Sequence, residues 1–270
     1  MKKKLFCLFF ALSVISCSHD NVLEEQEDLQ PEKILPPYVY PGVGFMTGGY
    51  FKCEYDNGKL VKMYGRYLNS GQMGGIGQFD SDSLMTFTYN NDEVKLEFYY
   101  FGVDSGMVII YTMKNGRPIK SELYYRDFIG PDMLAKTTTY TYENNKIIVY
   151  DDKYNKNMEV ITTYFFDYNK NLIKSEKLEK SGGIDRKLTI TNYSNFDKAK
   201  NPFKKFSLVY DQYNIDDQIF YVKSLSANNY RKMEGTIQLL NTPFPNGNFK
   251  SEWTYQYDSN GQVVLYHPLQ

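Results

Sequence analysis

The chain has 270 residues, 31 Lys and Arg against 32 Asp and Glu, and a formal net charge of −1. With no basic patch, that balance gives nucleic-acid binding no electrostatic support. Aromatics form 17% of the chain while His19 and His267 are its two histidines, so chemistry that uses histidine as acid, base or metal ligand has little to draw on.

Lys2, Lys3 and Lys4 precede a short apolar run, Leu5 to Ile15. A membrane-spanning helix needs about 20 apolar residues, so this run reads as a signal peptide that is removed. It ends in Val14-Ile15-Ser16-Cys17, which resembles the bacterial lipobox. The resemblance implies cleavage after Ser16 and a lipid on the Cys17 thiol, and hence a membrane as first partner. Without residues 1–16 three of the 31 basic groups are gone and the net charge becomes about −4. Ser18 rather than an aspartate follows the cysteine, which favours the outer membrane. The acidic stretch Asp20, Glu24, Glu25, Glu27 and Asp28 loosely resembles the surface-export signal of Bacteroidota lipoproteins, which favours the cell surface over the periplasmic face.

Residues 17–38, with Pro31, Pro36 and Pro37, read as the lipidated cysteine and a flexible tether. Residues 39–270 are then one domain. Cys7 leaves with the signal and Cys17 is lipidated, so Cys53 has no cysteine to pair with. Between Phe51 and Tyr55 it reads as a small buried hydrophobe.

Within the domain the dominant signal is period-two alternation. Val94, Leu96, Phe98 and Tyr100 alternate with Glu93, Lys95, Glu97 and Tyr99, and Trp253, Tyr255 and Tyr257 alternate with Glu252, Thr254 and Gln256. Turn phrases interrupt the pattern. Tyr55-Asp56-Asn57-Gly58 and Tyr257-Asp258-Ser259-Asn260-Gly261 are the clearest, with Asp56 and Asp258 bonding local backbone and Gly58 and Gly261 taking positive φ. Weaker copies start at Tyr89, Tyr142 and Tyr168, with Asn145 and Asn171 in the glycine position, and Lys114-Asn115-Gly116-Arg117 makes a further turn. The fold class is all-β: a single large antiparallel meander of about ten to twelve strands, curled or barrel-like. Gly65 to Gly77 reads as an irregular loop, and Asn195 to Tyr230 as a short helix or long crossover.

The Tyr-Asp-x-x-Gly phrases resemble tyrosine-aspartate (Rhs-type) repeats. Taken with the lipobox, the tether, Asn-Phe-Asp-x-x-x-Asn-Pro-Phe at 195–203 and Ser-x-Asn-Asn at 226–229, the chain resembles a family of uncharacterised Bacteroidota lipoproteins with a porin-like antiparallel fold. The resemblance implies fold and supplies no catalytic residue. Lys and Glu on the strand faces opposite the aromatics argue for a soluble, lipid-tethered domain rather than a barrel whose strands face lipid.

No catalytic, metal or cofactor site is expected from the motifs. No nucleophile elbow accompanies His267, and both histidines read as solvated. Asp104, Asp127 and Asp132 are loop acids that a carboxylate-based hydrolase would draw on. Asp80, Asp82, Asp151 and Asp152 offer oxygen ligands without calcium-loop spacing. The expectation is a non-enzymatic module that binds a glycan, a peptide or an envelope protein, with Trp253, Tyr255 and Tyr257 as the aromatic ladder. The alternatives are the hydrolase and a carrier of an apolar ligand inside the curved sheet.

Overall fold

The computed structural model describes residues 29–267 apart from 42–43, 46–48, 70–75, 128–129, 154–156 and 212–217. The lipobox, Cys17, Ser16 and His19 lie outside the described residues. Fifteen strands form one sheet. They are β1 (Lys33–Ile34), β2 (Gly44–Phe45), β3 (Phe51–Asp56), β4 (Lys59–Asn69), β5 (Ile76–Asn90), β6 (Glu93–Tyr100), β7 (Val103–Lys114) and β8 (Arg117–Tyr125), followed by β9 (Met133–Tyr142), β10 (Lys146–Lys153), β11 (Met158–Phe166), β12 (Leu172–Ser181), β13 (Ile184–Ser194), β14 (Lys232–Leu239) and β15 (Gly247–Glu252). Apart from β2, which pairs parallel with β5, each strand lies antiparallel to the next from β1 and β3 through to β15. A small hairpin of β16 (Gln256–Tyr257) and β17 (Val263–Val264) follows.

The antiparallel meander is the expected one, with more strands. Two tips, Phe101-Gly102 and Gly182-Gly183, carry no Tyr-Asp phrase, and two of the extra strands are two-residue pieces. The sheet is open, because β1 and β15 are not paired with each other.

The tips show why the phrases recur. Asn57 and Gly58 both have positive φ (48° and 74°), the backbone that a two-residue hairpin turn needs to match strand twist. In the last turn Asp258 Oδ1 accepts the backbone N–H groups of Asn260 and Gln262, and Gly261 takes a φ of 74°. The Asp167 turn repeats that construction, with Asn171 N–H donating to Asp167 Oδ1. There the positive φ (64°) falls on Lys170 and not on Asn171, which is buried. Asn145 is likewise not left-handed. In the Asp167 turn the left-handed position thus falls one residue before Asn171, because the loop is set by the Asp167 side chain.

Three boundaries also move. Ile34, expected in the tether, is fully buried on β1, and Pro36 to Val39 form a helix, α1, that packs into the core. Proline at the start of a helix loses no hydrogen bond, so a proline pair that reads as tether serves here as a helix start. Gly65, expected in a loop, lies within β4 at a bulge. Its φ of 99° suits glycine, and a Cβ there would overlap the Phe79 ring. Glu252 to Tyr257 is not one strand, since the chain leaves the sheet after Glu252.

Between β13 and β14 the chain departs from the sheet at 195 and returns at 231, resuming the ladder with Ser194 opposite Lys232. This crossover, a 3-10 turn at Lys204–Phe206 and the helix α2 (Ile219–Leu225), covers the inner face of the sheet. Phe220 meets Phe51 of β3 edge-on at 5.4 Å, Tyr210 meets Phe98 of β6, and Tyr221 meets Tyr140 of β9 and Tyr164 of β11. Phe203, Phe206 and Phe220 are among the most buried side chains. The interior is therefore a packed aromatic core. Two small spaces between crossover and sheet, among the described residues, are about 20 and 40 Å³, room for single waters.

Candidate functional site

The motifs at 195–203 and 226–229 turn out to be the seam that fastens the crossover. Asp197 Oδ1 accepts the N–H groups of Ala199 and Asn229, and its Oδ2 accepts the Tyr257 hydroxyl at 2.9 Å. Asn201 Nδ2 donates to the carbonyls of Lys223 and Ser226 at 2.6 and 2.7 Å, while its Oδ1 accepts Phe203 N–H. Lys204 Nζ donates to Leu225 O. Helix α2 ends without glycine, in an extended Ser226, so its last carbonyls need partners from elsewhere, and these two side chains supply them. Two turns complete the seam: Asn171 Oδ1 receives Asn228 N–H, and Gln262 Oε1 receives Lys200 N–H.

Trp253, Tyr255 and Tyr257 do not make one exposed ladder. Tyr255 is 6% exposed and Trp253 is half-buried against Tyr230, whereas Tyr257 is 39% exposed. Trp253 and Tyr255 instead help to enclose Lys223, whose ammonium lies 4.9 Å from the Trp253 ring, 5.2 Å from Phe203 and Tyr230 and 5.9 Å from Tyr255. Lys223 Nζ donates to Tyr255 Oη at 3.3 Å, and no carboxylate among the described residues pairs with it. Burial lowers its pKa to about 7. Cys53 is buried on the inner face, its thiol pushed up to about 12 by desolvation, which removes it as a nucleophile. His267 is half-buried, its ring 6.1 Å from Tyr38 and its Nδ1 3.4 Å from that hydroxyl.

Three of the candidate acids, Asp80, Asp104 and Asp151, are in ion pairs. Arg126 binds both Asp104 and Glu97. Asp80 holds Arg66 at 2.9 Å and accepts the Ser83 hydroxyl, and Asp151 pairs with buried Lys136 at 3.2 Å and accepts Thr138. Asp127 lies against Gly130. Among the described residues no three His, Cys, Asp or Glu side chains gather as a metal site.

The opening to solvent lies on the other side of the sheet. Tyr64, Leu84 and Tyr99 are direct cross-strand partners on β4, β5 and β6, facing out where Met63, Met85 and Phe98 face in. They line a shallow depression of about 650 Å³ together with Ser81, Asp82, Thr86 and Phe101. Phe101 sits on the β6–β7 tip with φ 50° and 72% of its surface exposed. A left-handed backbone is unusual for a bulky residue, and water is unusual surroundings for its ring. Tyr99 faces out, as its alternation with Glu93, Lys95 and Glu97 requires, but that it meets Tyr64 across Leu84 depends on the pairing register of three strands, which the pattern of one strand does not give.

No family model matches the chain, and no curated protein matches it. Among solved structures it is similar to a porin-like protein from Bacteroides vulgatus, with a TM-score of 0.52 and 14% identity over 81% of this chain and 87% of that one. At that identity the likeness speaks for architecture: the chain has a porin-like antiparallel fold whose sheet stays open and whose inside is filled by its own crossover.

Proposed function

We propose that this is an envelope lipoprotein held at the outer membrane through Cys17, and that its β domain is a non-enzymatic module that binds a glycan on the outer aromatic row. The observation that carries this reading is the set Tyr64, Tyr99 and Phe101 bordering one open depression beside Asp82 and Ser81. Aromatic faces take the apolar faces of sugar rings, and a carboxylate and a hydroxyl at the rim supply directional hydrogen bonds. The rest of the outer face supports a domain in water. It carries ion pairs two residues apart along the strands, among them Lys52–Glu54, Lys95–Glu97, Lys120–Glu122 and Lys232–Glu234. Such side chains facing lipid at midplane are destabilising by about 2 to 4 kcal/mol for each Lys.

The test is a glycan array followed by calorimetry with the full chain. Binding of a neutral oligosaccharide is expected, weakened at least tenfold by Tyr99→Ala with Phe101→Gly and unchanged by Tyr257→Ala. Equal loss in both variants, or no glycan bound at millimolar concentration, removes the reading. Release of new reducing ends from a bound glycan would turn it into the hydrolase alternative.

A further inference from the structure

A second concavity lies at one end of the sheet, on different strands. The β7–β8, β9–β10 and β11–β12 tips are alternate turns of the meander and so fall at the same end. They bring Arg117, Lys146 and Lys170 to one groove of about 350 Å³, and the crossover contributes Lys204 from its inner side. Glu143 is the one carboxylate among the described lining residues, so four cations against one anion make the lining about +3 in a chain of net −1. The floor is apolar, formed by Ile147, Phe166 and Leu225.

Arg117 and Lys170 are held in place by contacts that leave their charge in play. The Arg117 guanidinium lies over the Tyr142 ring at 5.5 Å, and that tyrosine is fixed by donating to Pro118 O at 2.8 Å. Among the described residues no carboxylate pairs with Arg117 or with Lys170. Lys170 Nζ donates to Asn144 O at 3.2 Å, which uses one of its three hydrogens. Lys146 is paired with Glu143 at 3.2 Å, a partly exposed pair of small net worth that an incoming anion can replace. Lys170 also occupies a left-handed position (φ 64°) at which the sister turn has Gly261. Keeping a lysine where glycine is the unstrained choice is a local strain that cationic presentation at this rim accounts for.

We infer that this groove binds a phosphomonoester whose alcohol part is small and apolar or ring-bearing. A planar fork at Arg117 beside the ammonium groups of Lys146 and Lys170 suits a compact dianion, and the floor suits the group that carries it. The phosphate comes either from a free sugar phosphate or from a lipid headgroup. This site shares no residue with the aromatic row, so the two readings stand or fall separately.

The experiment uses the full chain carrying Cys17→Ser, so that no lipid competes. Octyl phosphate, glucose 6-phosphate and octyl glucoside are titrated calorimetrically, and sedimentation is measured with phosphatidylcholine vesicles with and without phosphatidic acid. Octyl phosphate is expected to bind at least tenfold more tightly than octyl glucoside and to weaken as salt rises from 0.1 toward about 1 M. Preference between glucose 6-phosphate and phosphatidic acid vesicles identifies the source. Lys170→Gly is expected to leave Tm unchanged or raised while weakening octyl phosphate at least tenfold, a split that general destabilisation does not produce. Glu143→Gln is expected to tighten it severalfold. Equal binding of octyl phosphate and octyl glucoside, absence of octyl phosphate binding, or indifference to both substitutions overturns the assignment.

Discussion

Replacing Lys223 with Met is expected to stabilise the fold by about 3 kcal/mol at pH 6, with the gain fading as pH rises from 7 to about 9.5. The lysine is 2% exposed inside four aromatic rings, and desolvation brings its pKa to about 7 from the ordinary value of 10.5. Below pH 7 the group carries a proton in both states, so the folded chain bears the full penalty of a buried charge. Between pH 7 and 10.5 the unfolded chain binds the proton and the folded chain does not, so wild-type stability rises with pH by up to about 1.4 kcal/mol per unit. The ring faces attract the ammonium and offset part of this, which is why the figure is set below the full shift. Near pH 10 the stability of both chains turns down as unfolded tyrosines ionise, because Tyr230 and Tyr255 have raised values in the folded state, so the comparison is read below that point. Urea unfolding of both chains at half-unit pH steps is the check. A wild-type midpoint that stays flat from pH 7 to 9 would show that the rings compensate the charge in full.

The second large effect is expected at Asn201, where Asn201→Ala should destabilise by about 4 kcal/mol. The side chain is buried and serves three backbone groups at once: the carbonyls of Lys223 and Ser226, and the N–H of Phe203. Each buried group left without a partner costs about 1 to 3 kcal/mol. Asn201→Asp should be at least as damaging, because it sets a carboxylate oxygen against the two carbonyls that the amide now serves. Thermal unfolding is the readout, and a loss below about 1 kcal/mol for Asn201→Ala would mean that water takes over the orphaned carbonyls.

What was legible in the sequence follows from which interactions are local. Alternation from Val94 to Phe98 reported buried and open faces correctly, because one strand's pleat settles it. The turns at Asp56-Gly58 and Asp258-Gly261 were readable for the same reason. Non-local facts were not. That Trp253 and Tyr255 turn toward a buried lysine depends on where residues 203 and 223 dock, and that Tyr64 and Tyr99 meet across Leu84 depends on the pairing register of three strands. Asn-Pro-Phe and Ser-x-Asn-Asn were recognisable as motifs, but their role as mutual partners needs the crossover in place.

The position of that crossover also fixes an order of events. From β3 to β13 each strand pairs with its sequence neighbour, so the ladder consists of short-range contacts that form quickly. Helix α1 and Tyr40 cover only part of the aromatic side of that ladder, and Phe98 and Tyr164 receive their partners Tyr210 and Tyr221 from the crossover. A chain emerging from its N-terminus thus passes through a stage with most of its sheet built and its inner face wet, prone to stick to other such chains. The segment between β13 and β14 thus completes a core that the strands before it only outline.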